Sequence, residues 1–587
     1  MQHFRLRLAL CNLNPTVGAL RSNADRVIAA ARAAVARDCE LAVASELVLA
    51  GYPSEDLVLW PDYVEQQWQE LQRIARDTAE LNLYLAVGLA VTHAEKIYNC
   101  AALVHHGHIL GVVPKQHLAS YNVFYEGRTF SAGTPGDLTD HRGVPFGDLV
   151  FDTPFGKLAL EICEDLWVEC GPLLSRVERG AQLSVNLSAS PWRIGVAEAR
   201  RDLLRARSRA AGIPLIYVNQ VGANDSLIFD GTSLAARNGE LIFESPRWVE
   251  QISVLDLHAP VPVAIHPDTH SAFFDDLSAA LALGIADYFA KTRAFDRLGV
   301  SLSGGKDSAL VLLLACDAAR RLNRDPRDFV HAFSLPTHFN SDATRNVARD
   351  LARDLGVTFM EDSIEDAVAV ERAAALRLSG VARLAPLTEQ NIQARIRALR
   401  MWNWSNQSRG LWLQTGNMSE KAVGYTTIGG DLSGGYAPIA NVPKTLVTAL
   451  LTHYQSRLNF ASLATLLTLR PSAELAENQE DERDLMPYPV LDACFELFAG
   501  RKLPLPEVLR ELELRFSDEA LKQLDPAYGP GQLKEWLRKF ARLFIYSIYK
   551  WVQSPQGIHV SDLDLDRERA LQLPVVQSTE WLNLTNL

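Results

Sequence analysis

The chain has 587 residues, too many for one ordinary core and enough for two to four domains of roughly 150 residues each. With 48% hydrophobic and 22% charged residues it has the make-up of a packed enzyme and lacks the polar bias of disorder. A net charge of -12 provides no global basic field for nucleic acid, and seven cysteines without a CxxC pair argue against a disulfide framework or a thiolate zinc site. The cysteines are expected to be free thiols in the cytoplasm, since the N-terminus lacks a signal-peptide pattern and no apolar run of about 20 residues follows. In chain order, short apolar runs (LRLALCNL, ELAVASE, LYLAVGLA, CAALVHH, KLALEIC, QLSVNLS, IPLIYVNQVG) read as buried strands, with helices near 20 to 37, 62 to 80 and 196 to 211. This predicts a layered α/β domain to about residue 258. The segment HAPVPVAIHPDTH, with three prolines in thirteen residues, reads as a linker. Beyond it come a helical stretch (FDDLSAALALGIADYFAKTRAF), the strand GVSLS, the loop GGKD and the helix SALVLLLACDAARRL, with further strands at FVHAFSLP and GLWLQTG. That alternation is the pattern of a doubly wound parallel sheet. The expected boundaries are residues 1–260, a linker 261–275, a second domain 276–560 and a tail 561–587. The acidic cluster ENQEDERD and the arginines between Arg200 and Arg209 read as solvated faces.

The sharpest local signal is SLSGGKDS, Ser301 to Ser308. A strand ending in Ser303, Gly304 and Gly305 and opening a helix at Lys306 aims successive backbone N–H groups and a positive helix end at one point, which suits the phosphates of ATP. Ser301 and Leu302 lead into that loop, Ser303 and Ser308 add hydroxyls, and Asp307 is placed to hold Mg²⁺. Lys306 is followed by Asp307 rather than Ser or Thr, so this is not a Walker loop. A second wall of the same crevice is predicted where GLWLQTG feeds NMSEKAVGY. Thr415 and Glu420 follow the strand's carboxyl end, and Glu420 is a candidate second Mg²⁺ ligand.

These residues resemble the NAD synthetases of the ATP-pyrophosphatase group. The similarity continues through TEQNIQARIR, TGNMSEKAVGYTT, GGDLSGGYAPI, PKT, PSAEL and YKWVQSPQGIHVS, over about 260 residues. It implies ATP contacts at Ser301 to Ser308 and Thr415, and contacts with deamido-NAD at Asn391, Glu420 and Lys550, with Lys444 matched more loosely. The chain departs from the family pattern at Gly429, where an aromatic is usual, and at Trp551, where Arg is frequent.

An amide-forming ligase needs ammonia. The N-terminal half carries no GxCxG elbow, and residue 2 is Gln rather than a nucleophilic Cys. Glu46, Lys115 and Cys163, however, each terminate a separate predicted strand. A thiol with a neighbouring carboxylate base and an ammonium to steady an oxyanion can attack an amide through a thioester. Taken singly, Cys163 reads equally as a small core residue and the other two as loop charges. Together, SELVLAGYPSEDL, VPKQHLASYNVFYEGRTF and ICEDLW resemble the nitrilase superfamily over residues 4 to 258. The resemblance implies Tyr121, Glu126 and Ser190 as glutamine or support contacts, and Val196 departs from it where relatives often carry Lys or Arg.

The two halves in this order are similar to the glutamine-dependent NAD synthetases. That implies an N-terminal nitrilase-like αββα sandwich joined to a C-terminal adenine-nucleotide α-hydrolase-like domain, working on L-glutamine, ATP and deamido-NAD with Mg²⁺. It also implies a homo-oligomer, no nucleic-acid or membrane partner, and ammonia handed on internally. Three alternatives stay open from the residues: amidation of a different acid, an inert N-terminal scaffold on an ammonia-using enzyme, and a nucleotide sensor that binds ATP without producing pyrophosphate.

Overall fold

The computed structural model describes residues 6–259, 270–477 and 479–566. It divides into two compact units, Met1–Ala272 and Phe273–Leu587. Gln2, most of the proline-bearing linker and the last part of the expected tail lie outside the described residues.

In the first unit the described residues form two large sheets. One has eight strands, with Arg7–Asn12, Leu41–Val43 and Tyr84–His93 paired in parallel at its centre; the other has six, with Gly156–Ile162, Leu183–Ser188 and Leu215–Asn219 parallel at its centre. The period-2 alternation of a strand decides which face each side chain takes. Leu8 and Leu10 enter one core together with Leu160, Ile162 and Val185 from the opposing sheet, so the two sheets pack face to face. Ala9 and Cys11 point the other way, under the helices Leu20–Val35 and Pro61–Asp77. The helix Val196–Ala211 covers the outer face of the second sheet through Leu204 and Ala211 against Leu215 and Tyr217. The result is the expected α-β-β-α sandwich.

The arginines of that last helix differ from expectation. Arg200 and Arg201 are buried, Arg200 pairing with Asp230 at 2.8 Å and Arg201 with Glu244 at 2.9 Å. A guanidinium enters a core only with such a partner, and both partners come from distant strands that local sequence does not reveal.

The second unit has a four-stranded parallel sheet in the order Thr358–Glu361, Val330–Ser334, Arg297–Ser301, Gly410–Leu413. The chain runs outward from the central Arg297–Ser301 strand to one edge, then returns to place Gly410–Leu413 on its other side. The switch in direction therefore falls between the strand that precedes SGGKDS and the strand that precedes Thr415. Helix Pro386–Ser408 packs on this pair because Gly299 and Gly410 leave room for Trp404: a Cβ at Gly299 would lie 2.1 Å from its ring. Helix His270–Thr292 begins inside the segment expected as linker, carried by its buried Phe274, Leu277 and Leu281. A helical cluster including Leu491, Phe495, Leu537, Phe540 and Trp551 forms the remaining core of the unit. Among the described residues no helix is long and apolar enough to cross a membrane.

Candidate active sites

In the first unit three strand ends deliver their polar residues to one buried point. Glu46 lies just beyond Leu41–Val43, pressed against Tyr84–His93 at Gly88, where a Cβ would meet Ser45 O at 2.4 Å. Lys115 follows His108–Pro114, and its Nζ donates to Glu46 Oε1 at 2.7 Å and to the Glu126 carboxylate at 2.8 Å. Glu46 also accepts from Asn99 Nδ2 at 2.7 Å and from Ala189 N–H at 2.9 Å. Cys163 sits where Gly156–Ile162 turns into the short helix Glu164–Trp167, with φ 40° and ψ -96°. A β-branched or bulky residue would be badly strained there, and such strain is stored where a side chain must be held in a fixed position.

The electrostatics follow from burial. Two carboxylates and a thiol share one ammonium. Burial alone would lower the Lys115 pKa, but Glu126 and Glu46 outweigh it and raise it well above the ordinary value. Burial pushes the Glu126 carboxyl up, against the pull of Lys115. Burial, then Glu46, pushes the Cys163 thiol well up, while Lys115 opposes them. The thiol therefore rests protonated and needs a base at the moment of attack.

Of the other expected residues, Glu126 joins the set directly through Lys115, and Tyr52 donates to it at 3.3 Å. Tyr121 is half-exposed and donates at 2.9 Å to Glu164, the neighbour of Cys163. Ser190 is buried and held in place: its N–H donates to Asn219 Oδ1 at 2.9 Å and its Oγ accepts from Arg200 at 3.2 Å. Val196 is the buried first residue of its helix. Asn99 and Tyr52 were not anticipated, although an Asn inside the apolar run KIYNCAALVH is a signal that could have flagged the first.

In the second unit a cavity of about 330 Å³ opens at the carboxyl ends of the central strands, lined by residues 301–308 together with Thr415, Glu420, Asn391 and Lys550. Open α/β sheets bind ligands at this switch point. Gly304 has φ 88°, and a Cβ there would meet Thr344 O at 2.2 Å, so only glycine lets the loop pass. Ser303 Oγ accepts from Gly305 N–H at 3.2 Å and contacts Ser308 Oγ at 3.1 Å, which braces the turn from inside. Leu302 contributes backbone only, its side chain being buried.

Asp307 and Glu420 are brought together by Lys444, whose Nζ donates to Asp307 Oδ2 and, at 2.9 Å, to Glu420 Oε1. Asn417 links the same pair, donating to Asp307 Oδ1 at 3.1 Å and accepting from Glu420 N–H at 3.0 Å. Burial works to lower the Lys444 pKa, and the two acids reverse it, raising it well above the usual value. Burial pushes Asp307 up. Asn391 Oδ1 accepts from Thr427 Oγ1 at 2.7 Å, and Lys550 donates to Gly424 O at 2.7 Å and Thr426 O at 2.9 Å, with burial lowering its pKa.

Trp551 is in the core, and Gly429 is exposed with φ 71°. The acidic cluster is not simply a solvated face. Asp481 is buried, lines the cavity, and has its carboxyl pushed up to about 7 by burial and then by Glu420. Tyr488, a further unanticipated residue, donates to Glu420 at 3.0 Å.

Comparison with known proteins identifies the family of each unit. Residues 7–261 match the carbon-nitrogen hydrolase family model and residues 277–529 that of NAD synthase. A glutamine-dependent NAD(+) synthetase of Synechocystis is 34% identical over 584 residues, covering 92% of this chain and 99% of that protein. One from Acinetobacter baylyi is 32% identical, covering 97% and 98%. The crystal structure of a glutamine-dependent NAD(+) synthetase from Cytophaga hutchinsonii matches with TM-score 0.84 at 25% identity over 99% of each chain. The enzyme from Acinetobacter baumannii, solved with ADP, matches with TM-score 0.71 at 28% identity over 97% of this chain and 98% of that one. The chain therefore belongs to the glutamine-dependent NAD(+) synthetases.

Proposed function

We propose that the protein hydrolyses L-glutamine in its first unit and, in its second, activates deamido-NAD with ATP and amidates it, yielding NAD(+), AMP, pyrophosphate and glutamate. The observation that carries this reading is that a complete Glu46, Lys115, Cys163 set and a complete SGGKDS loop occur in one chain.

In the first unit Glu46 takes the Cys163 proton as Sγ attacks the side-chain amide carbon of glutamine. The Lys115 ammonium steadies the oxygen that becomes negative, in a site too dry for water to screen it. Glu46 then gives the proton to the departing amine, and later serves as base for the water that opens the thioester. Glu126 keeps Lys115 charged and aimed. Tyr121 and Ser190 are assigned to glutamine, Tyr121 at the mouth and Ser190 on the segment whose Ala189 N–H holds Glu46.

In the second unit the backbone of Ser301 to Ser308 receives the phosphates and Thr415 contacts the nucleotide across the switch point. Asn391, Glu420 and Lys550 are assigned to deamido-NAD. Asp307 and Glu420 would hold Mg²⁺ beside the Lys444 ammonium that now pairs with both, since this ion takes one or two carboxylates with phosphate oxygens and water. When bound there, Mg²⁺ neutralises phosphate charge and favours departure of pyrophosphate. Adenylation precedes amidation because a free carboxylate is a poor electrophile. This reading also includes work in the cytoplasm as a homo-oligomer.

The test is a product assay. Incubation with glutamine, ATP, Mg²⁺ and deamido-NAD should give AMP, NAD(+) and glutamate, with AMP and NAD(+) equal. AMP formed only with some other carboxylic acid would overturn the assignment.

A further inference from the structure

Apart from the reacting set, the first unit holds a second arrangement of nucleophile, base and acid. Cys170 is exposed, whereas Cys11, Cys39, Cys100, Cys163, Cys316 and Cys494 are buried. It lies in the turn between helices Glu164–Trp167 and Leu173–Glu178. Its Sγ is 4.0 Å from His117 Nε2, and the other ring nitrogen, Nδ1, is 3.3 Å from Asp165 Oδ1. The Nδ1 proton belongs on the side of the buried carboxylate, which leaves Nε2 to accept from the thiol. The hydrogen bond to Asp165 raises the His117 pKa against burial, and the Glu164 charge adds to the rise. Nucleophile, base and orienting acid are thus in sequence, the pattern of an activated thiol.

The same acid braces the reacting set. Asp165 Oδ1 accepts from Gln116 N–H at 3.0 Å and His117 N–H at 2.8 Å, immediately after Lys115, and its Oδ2 accepts from Ile162 N–H at 3.3 Å, immediately before Cys163. One carboxylate therefore ties the Lys115 loop to the Cys163 turn, and His117 stands between it and Cys170.

We infer that Cys170 is a site of reversible thiol–disulfide exchange with small disulfides, that His117 is its base, and that the adduct slows glutamine hydrolysis. The last part rests on the reading of this unit as the glutamine-hydrolysing half. In the exchange, the Cys170 proton passes to His117 Nε2 and the sulfur attacks one sulfur of the disulfide RSSR. The S–S bond breaks, Cys170–S–S–R forms, and RS⁻ leaves and takes the proton from His117 as RSH. No net oxidation occurs beyond that carried by RSSR. A substituent on Sγ occupies the space facing Nε2 and forces His117 away, which loosens the Asp165 tie between Lys115 and Cys163.

The probe is oxidised glutathione applied to the full chain, with the adduct located by peptide mass. One glutathione should appear on Cys170 ahead of every buried thiol. His117→Gln should slow its addition about ten-fold near neutral pH and leave it unchanged at high pH, where hydroxide takes over the role of the base. The high-pH rate also reports that the variant is folded. In the wild type the adduct should lower glutamine-driven NAD(+) formation at least about five-fold while ammonia-driven formation is kept, with recovery on adding a dithiol. Cys170→Ser should lose this sensitivity and keep its untreated rate. Absence of Cys170 labelling, or equal labelling with Gln at residue 117, overturns the exchange site. A fully labelled protein with an undiminished glutamine-driven rate overturns the regulatory part, and a protein inactive with glutamine before treatment would instead count against the function of the unit.

Discussion

At the scale of single residues, buried charge dominates both sites. Lys444 is the cation on which Asp307 and Glu420 converge, and Lys444→Met leaves two mostly buried carboxylates without it. Breaking a buried pair costs about 3 to 5 kcal/mol, so this variant should melt early and lose ATP-dependent AMP formation, as calorimetry and a product assay would show. Glu161 gives a pH-dependent counterpart. Its side chain is fully buried on a central strand, and burial, opposed by Arg176, pushes its pKa from 4.5 to about 7. Below about pH 4.5 both folded and unfolded chains carry the proton and nothing is lost. As pH rises toward 7 the unfolded chain ionises first, so stability falls, by about 3 kcal/mol for a shift of this size. Glu161→Gln should remove most of that slope in urea titrations between pH 5 and 8; an unchanged slope would contradict the assignment. The residues legible in the sequence were Glu46, Lys115 and Cys163, polar side chains that follow apolar runs, and Asp307, which the glycine loop places in the first turn of a helix. Lys444, offered by the sequence only through the loosely matched PKT, meets Asp307 from 137 positions away, and Arg200 finds Asp230 only through the fold, so neither pairing is visible locally.

At the scale of elements, the sequence reading succeeded where a period was clean. The strands Arg7–Asn12 and Gly156–Ile162 and the helix Val196–Ala211 fall on the predicted runs. The short antiparallel strands at the sheet margins, such as Leu138–His141 and Val144–Gly147, were not visible, because Pro, Gly and exposed polar residues leave no alternation to read. The loop Ser301 to Ser308 is the element on which the second site depends, and Gly304 tests it. Gly304→Ala combines a left-handed backbone with a Cβ driven onto Thr344 O, so the turn must shift. ATP-dependent AMP formation should fall by at least about 100-fold, since a 1 Å displacement of a positioned group is enough for such a loss. Glutamine hydrolysis, which belongs to the other unit, should retain its reacting residues, and glutamate release measured alone checks this.

At the scale of the whole molecule, one chain joins a carbon-nitrogen hydrolase unit to an NAD synthase unit. Ammonia is mostly ammonium near neutrality and is easily lost to solvent, so a chain that makes and uses it gains if it is handed on internally. With glutamine labelled at its amide nitrogen and excess unlabelled ammonium present, the label should enter NAD(+) undiluted; full dilution would show release into bulk. The division of labour itself is tested most directly by Cys163→Ala, a substitution that removes one sulfur from the first unit and leaves the sequence of the second unchanged. NAD(+) formation should be measured side by side with glutamine and with ammonium as nitrogen source. The glutamine-driven rate should disappear while the ammonium-driven rate stays at the wild-type level; equal loss of both, or survival of the glutamine-driven rate, would show that the two units do not divide the work this way.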